Sequence, residues 1–147
     1  MGALTTLGIV VELGMERHWT QPLQVVAWVA AAALAVAIAL LMRDPSPARV
    51  RLAQVLAGAV VLSAALGSAV HVYANYDAAP LDRRFADTWE SLPEPMRWWL
   101  ALTKSVGPSP PLAPGALAQA GLCVLLATLR HPGLCKERAP GARIAKT

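Results

Sequence analysis

Polar residues in this chain are gathered into a few short stretches, and between them lie three runs that are apolar for much of a bilayer's thickness. A hydrocarbon core of about 30 Å takes about 20 apolar residues in a helix. Residues 23–42, LQVVAWVAAAALAVAIALLM, meet that demand with Gln24 as the one strongly polar member. Residues 52–73, LAQVLAGAVVLSAALGSAVHVY, form the second run. The third, residues 112–129, is shorter and carries Pro114 in its first turn, where a missing N–H costs little. A surface helix of a soluble bundle needs a polar face, and the first run offers none between Val25 and Met42. The pattern therefore predicts an all-α integral membrane protein with three transmembrane helices in a single membrane domain.

The remaining segments are too short or too polar to cross. Residues 1–19 predict a short helix, lying at the interface or tucked against the bundle, with Glu12 and Glu16 on one face; a solvated acidic tail is the plainer alternative. The outer loop, residues 74–111, predicts one helix from Asp82 to Ser91, with Asp82 as N-cap and Phe85 and Trp89 sharing a face. A second is expected in EPMRWWLALTK, with Pro95 near its start. GPSPPLAPG then reads as an extended, stiff lead into the third span.

Composition agrees with this outline. Only 15% of the 147 residues are charged, against about 25% in soluble domains, and the mean hydropathy is +0.46. The net charge of +4 does not point to nucleic acid, because the basic residues flank apolar runs. Arg43, Arg49 and Arg51 face one acid, Asp44, in the first turn, and the tail at 130–147 is strongly basic. The N-terminal segment and the outer loop are each slightly acidic. The positive-inside rule then places the short turn and C-terminus in the cytoplasm and the N-terminus and long loop outside, as for a multi-pass protein of the cell's inner membrane. Trp19, Tyr73, Tyr76, Trp98 and Trp99 all fall near the outer boundary, which suggests folded mass on that side. No signal peptide is expected: the AlaValAla at 35–37 lies deep within an unbroken apolar run. Cys123 and Cys135 sit in unlike surroundings and are not expected to pair.

Candidate chemistry is confined to one layer. Ala59, Ser63 and Gly67 follow one another at a spacing of four along the second span, and His71 and Asn75 continue the same stripe. Small residues at that spacing let another helix approach closely, so Ala59, Ser63 and Gly67 are candidate helix-packing positions and the polar end should face protein. Ala116, Ala120, Ala127 and His131 make a looser counterpart on the third span. By topology His18, His71, Glu12 and Glu16 lie at similar depth, and a histidine pair with carboxylates is a ligand set for a transition metal. Asn75 and Asp77 are candidate ligand-binding residues in the same layer, since polar groups near a membrane are costly without a role. The simpler alternative gives His71 a hydrogen bond to Glu16 or to the outer loop. Haem is disfavoured, because His18 precedes its span and the small-residue stripe leaves little room for a macrocycle.

No GxSxG, HExxH, P-loop or GxGxxG motif is present, so no catalysis is expected. The leading expectation is a small polytopic protein in contact with the lipid bilayer that acts as an assembly or accessory component, with other membrane subunits or copies of itself as partners and no nucleic acid. A metal- or ligand-binding protein using the outer His/Glu layer, and a small channel or transporter formed on oligomerisation, are the alternatives.

Overall fold

A computed structural model describes residues 2–43, 46–129 and 131, and every described element is helical or irregular, with no strand. Five α-helices follow in order: α1 Gly2–Met15, α2 Pro22–Met42, α3 Pro47–Ala78, α4 Glu94–Leu102 and α5 Gly115–Thr128. The loop between α3 and α4 carries two 3₁₀ turns, Ala79–Leu81 and Trp89–Ser91. Two helices, α2 and α3, are long and apolar enough to cross a membrane. The chain divides into two compact units, one of residues 1–63 and 117–147, the other of residues 64–116.

In the first unit, α1 and α2 form a helical hairpin closed by the turn at residues 16–21. Of the two expectations for the N-terminal segment, the packed helix is the one observed. The turn is built from backbone geometry: Arg17 takes φ of 50°, and His18 N–H reaches back to Leu13 O while Arg17 N–H bonds Gly14 O. That is a Schellman ending with arginine where glycine is usual. Gln24, the one polar member of its run, has a local task. Its Oε1 accepts from the N–H groups of Thr20 and Gln21 and from the Thr20 hydroxyl, satisfying donors that a helix start leaves open. Trp28 Nε1 donates to His18 O at 2.8 Å and its ring meets Trp19, pinning the hairpin end. Further along, small residues leave an apolar groove of about 340 Å³ lined chiefly by Leu7 and Val10 of α1 and Ile38 and Met42 of α2.

Packing of α5 on α3 in this unit uses a seam that differs from the small-residue stripe. Ala53, Ala57 and Val60 are buried on α3, as are Leu117, Ala120, Gly121, Val124 and Thr128 on α5. A Cβ at Gly121 would stand 2.9 Å from Val61 Cγ2 and 3.1 Å from Ala57 O, so the two backbones come as close as glycine allows. Lower on the seam, Gln54 Nε2 donates to Thr128 Oγ1 at 3.0 Å, a polar tie of the kind that joins helices in apolar surroundings. The helices are antiparallel. At 14 residues, α5 is about 21 Å long, well short of the full span expected over 112–129.

The second unit has its own core of Ala79, Trp89, Ala101 and Val106, with Tyr76, Phe85 and Leu100 packed against it. Tyr76 stacks on Trp98 with centroids 4.3 Å apart and meets Trp89 edge-on at 5.4 Å. The helix expected from Asp82 to Ser91 does not form; its residues make successive turns ending in the second 3₁₀ segment. Asp82 Oδ1 takes the Arg84 N–H as an N-cap does, and the Ser91 hydroxyl bonds back to Thr88 O, but the backbone between them mixes three- and four-residue turns. Phe85 and Trp89 still turn to the core, as their spacing predicted. The other expected helix is α4, which closes with Lys104 at φ of 55° and Ser105 N–H bonded to Leu100 O.

Candidate functional site

The polar end of α3 meets the proline-rich segment that leads into α5. Residues 108–111 are Pro-Ser-Pro-Pro, so Ser109 carries the only backbone N–H among them. That N–H donates to Asn75 Oδ1 at 2.8 Å, and Asn75 Nδ2 donates to Ser109 O at 2.7 Å. The second Nδ2 hydrogen goes to Ala101 O at 3.1 Å, at the end of α4. Asn75 is 0% exposed, and both of its amide hydrogens are used. It latches α4 and the proline segment to α3 with one side chain.

Four residues below, His71 Nδ1 lies 2.8 Å from Pro110 O. A carbonyl oxygen only accepts, so Nδ1 carries the hydrogen and donates it to Pro110 O. One turn further, Gly67 faces Pro114: a Cβ there would sit 3.3 Å from Pro114 Cγ. Gly67, His71 and Asn75 thus receive one non-helical segment, each in its own way. The small residue makes room, and the two polar ones satisfy backbone groups that have no helical partner.

The approach is close enough to select glycine. Gly107 has φ of +78°, and a Cβ on it would lie 2.5 Å from Asn75 Cα. Alongside, Arg84 extends the fastening at the surface. Its Nη2 donates to Asp82 Oδ2 at 2.7 Å and to Ser105 O at 2.6 Å. The Arg84 side chain, and then its backbone N–H, hold the Asp82 carboxyl down to about 2 from the ordinary 3.8.

The expected metal ligands divide between the units. Glu12, Glu16 and His18 belong to the first and His71 to the second. Among the described residues no group of three or more His, Cys, Asp or Glu side chains is placed to hold a metal ion. Glu12 and Glu16 are exposed, and His18 offers its carbonyl to Trp28. Asp77 is exposed beside the latch and takes no part in it. On the small-residue stripe, Ala59 is exposed and Ser63 half-buried, its hydroxyl turned to Val60 O. Its third member, Gly67, meets Pro114 of its own chain. Cys123 is exposed, and Cys135 and most of the basic tail lie outside the described residues.

Sequence reasoning singled out His71 and Asn75 but not Ser109, Ala101 or Pro110, their actual partners. One signal was there to use: a proline run with a single N–H demands one acceptor, and Asn75 at the end of α3 can supply it. No family model, curated protein or solved structure matches the chain, so its reading rests on this geometry.

Proposed function

We propose that the chain is a small polytopic membrane protein, held in the bilayer by α2 and α3, that acts as an assembly or accessory component of a membrane complex or homo-oligomer. One observation carries this reading. The apolar windows of α2 and α3 are only 22% and 17% buried within the chain, whereas the core helix of a soluble protein is mostly covered. On α3 the open face is a continuous apolar stripe of Leu52, Val55, Ala59, Leu62, Leu66, Ala69 and Tyr73, at alternating spacings of three and four. Burying such a face in lipid or against apolar helices removes a large unfavourable area from water.

The charge bias supports an orientation with Arg43, Arg49, Arg51 and the tail in the cytoplasm and the α3–α4 loop outside. Because α1 folds back along α2, its first residues approach the Met42 end in this arrangement, instead of lying outside as charge alone suggests. The third crossing is made by α5 together with the latched proline segment. Non-helical backbone is tolerated at membrane depth only where protein satisfies its polar groups, and His71 and Asn75 do that here.

For assembly, the notch around Gly58 and Ala59 is the favoured contact. Nothing lies within 4 Å of a Cβ built on Gly58, and Ala59 is exposed between Val55 and Leu62. The test is extraction and sizing. The chain should remain in membranes through an alkaline carbonate wash and migrate in mild detergent as a species larger than one copy. Ala59→Leu should abolish that species and leave tryptophan emission unchanged. Release by carbonate, or an unaltered size profile in the variant, would overturn the proposal.

A further inference from the structure

We propose that α4 is an interfacial anchor, lying in the headgroup layer of a lipid bilayer with Trp99 at the centre of its lipid-facing side; this rests on the membrane reading above. The helix is amphipathic in the opposite sense from a soluble surface helix. Met96, Trp98, Trp99 and Leu102 are all exposed, Trp99 to 59%, and Pro95 and Thr103 complete that side without a charge. The one charge within the helix after Glu94, Arg97, is turned inward. Its guanidinium lies 5.8 Å over the Tyr76 ring, its Nη1 reaches Glu90 Oε2 at 3.4 Å, and its Nε is buried with no hydrogen-bond partner. A helix in water gains by the reverse arrangement, with arginine out and tryptophan in.

Depth along α3 identifies what covers this face. Arg51 marks one charged boundary of the helix, and the rise from Arg51 to Asn75 is about 36 Å. The hydrocarbon core takes up about 30 Å of that and the whole bilayer about 40–45 Å. Asn75 therefore stands just beyond the hydrocarbon edge. Because Asn75 Nδ2 holds Ala101 O, the last turn of α4 is fixed at the same level. Amphipathic tryptophan rings concentrate at that depth, and interfacial helices bury an apolar face in that layer. Glu94 before the face and Lys104 after it place charges at its two ends.

Depth-dependent fluorescence quenching tests the assignment. In a Trp19→Phe, Trp28→Phe, Trp98→Phe background, Trp89 and Trp99 remain, and subtracting the same background with Trp99→Phe isolates Trp99. Trp89 is only 1% exposed and gives a quiet reference. Reconstituted in phosphatidylcholine vesicles, the Trp99 signal should be quenched at least about twofold more by lipid spin-labelled at carbon 5 than at carbon 12, with weak quenching by acrylamide. A separate Leu62→Trp variant, placed midway along α3, should show the opposite lipid preference. Trp99 open to acrylamide and untouched by either lipid label would overturn the anchor while the Leu62→Trp result upheld the membrane reading. Trp99 shielded from both quenchers would assign the face to protein and overturn it equally. Loss of lipid quenching in both variants would remove the membrane reading itself.

Discussion

Asn75 and Ser109 exchange two hydrogen bonds, side chain to backbone in both directions, at 2.7 and 2.8 Å. The pairing reproduces what two strands do for one another, yet one partner is a helical side chain. It answers a specific need, since the proline-rich stretch has no regular structure to satisfy its peptide groups and enters a region built of apolar helices.

Removing the amide should therefore cost more than a surface contact would. Asn75→Leu keeps the volume but strands Ser109 N–H and Ser109 O, while Ala101 O keeps a backbone donor at the end of α4. With about 1–3 kcal/mol for each buried group left unpaired, the expected loss is about 2 kcal/mol or more. Denaturant unfolding of the purified protein in micelles, followed by tryptophan emission, measures it. A loss below about 0.5 kcal/mol, the usual scale of an inconsequential surface change, would contradict the latch.

Two substitutions at Ser109 separate backbone from side chain. The serine hydroxyl makes no contact with Asn75, so Ser109→Ala should change stability by less than about 0.5 kcal/mol. Ser109→Pro deletes the N–H that Asn75 Oδ1 receives, and should destabilise by about 1–3 kcal/mol. Equal effects from the two would mean that the backbone bond is not what matters.

Glycine at 107 is required by two independent facts, its φ of +78° and the 2.5 Å that would separate a new Cβ from Asn75 Cα. Gly107→Ala should prevent closure of the latch and broaden the cap's signals in NMR spectra. Lys104 offers the converse case. It adopts a left-handed conformation that costs an L-residue about 1 kcal/mol relative to glycine, and its neighbours do not depend on its side chain. Lys104→Gly should accordingly raise the unfolding midpoint.

Acid should reach the Asp82–Arg84 clasp late. Because the folded carboxyl is depressed, its contribution is complete above the ordinary value of 3.8 and is lost as pH falls towards about 2. The side-chain carboxyl resonance of Asp82 should titrate with a midpoint near 2 in the native chain and move towards 3.8 in Arg84→Ala. An unshifted midpoint in the native chain would show that the clasp does not form in solution.

The two long helices were legible because they are apolar on every side, and no tertiary information is needed to see that. The third was misjudged in length for a physical reason. Hydropathy registers Leu112 and Ala113 as apolar, but not that Pro110 and Pro114 are held as irregular chain against His71 and Gly67. The Asp82–Ser91 segment shows a different limit. Phe85 and Trp89 obey helical spacing and do reach the core, while the backbone around them closes in mixed three- and four-residue turns instead of one ladder. Alanine hid the packing seam. With small residues on every face of α3, the stripe through Ala59, Ser63 and Gly67 stood out in the sequence, yet Gly121 packs against Ala57 and Val61 instead. The partners of Asn75 lie 26 and 34 residues away, a separation that hydrophobic periodicity does not bridge; only the single N–H of the proline run pointed to an acceptor.

The most direct test of the latch is amide hydrogen exchange at Ser109, read by NMR in micelles. With its only backbone donor engaged by a buried side chain, the Ser109 amide should exchange at least about 100-fold more slowly than an unstructured peptide, equivalent to an opening free energy of about 2.7 kcal/mol. In Asn75→Leu the protection should vanish. A native Ser109 amide exchanging at the unstructured rate, or one equally protected without Asn75, would contradict the account.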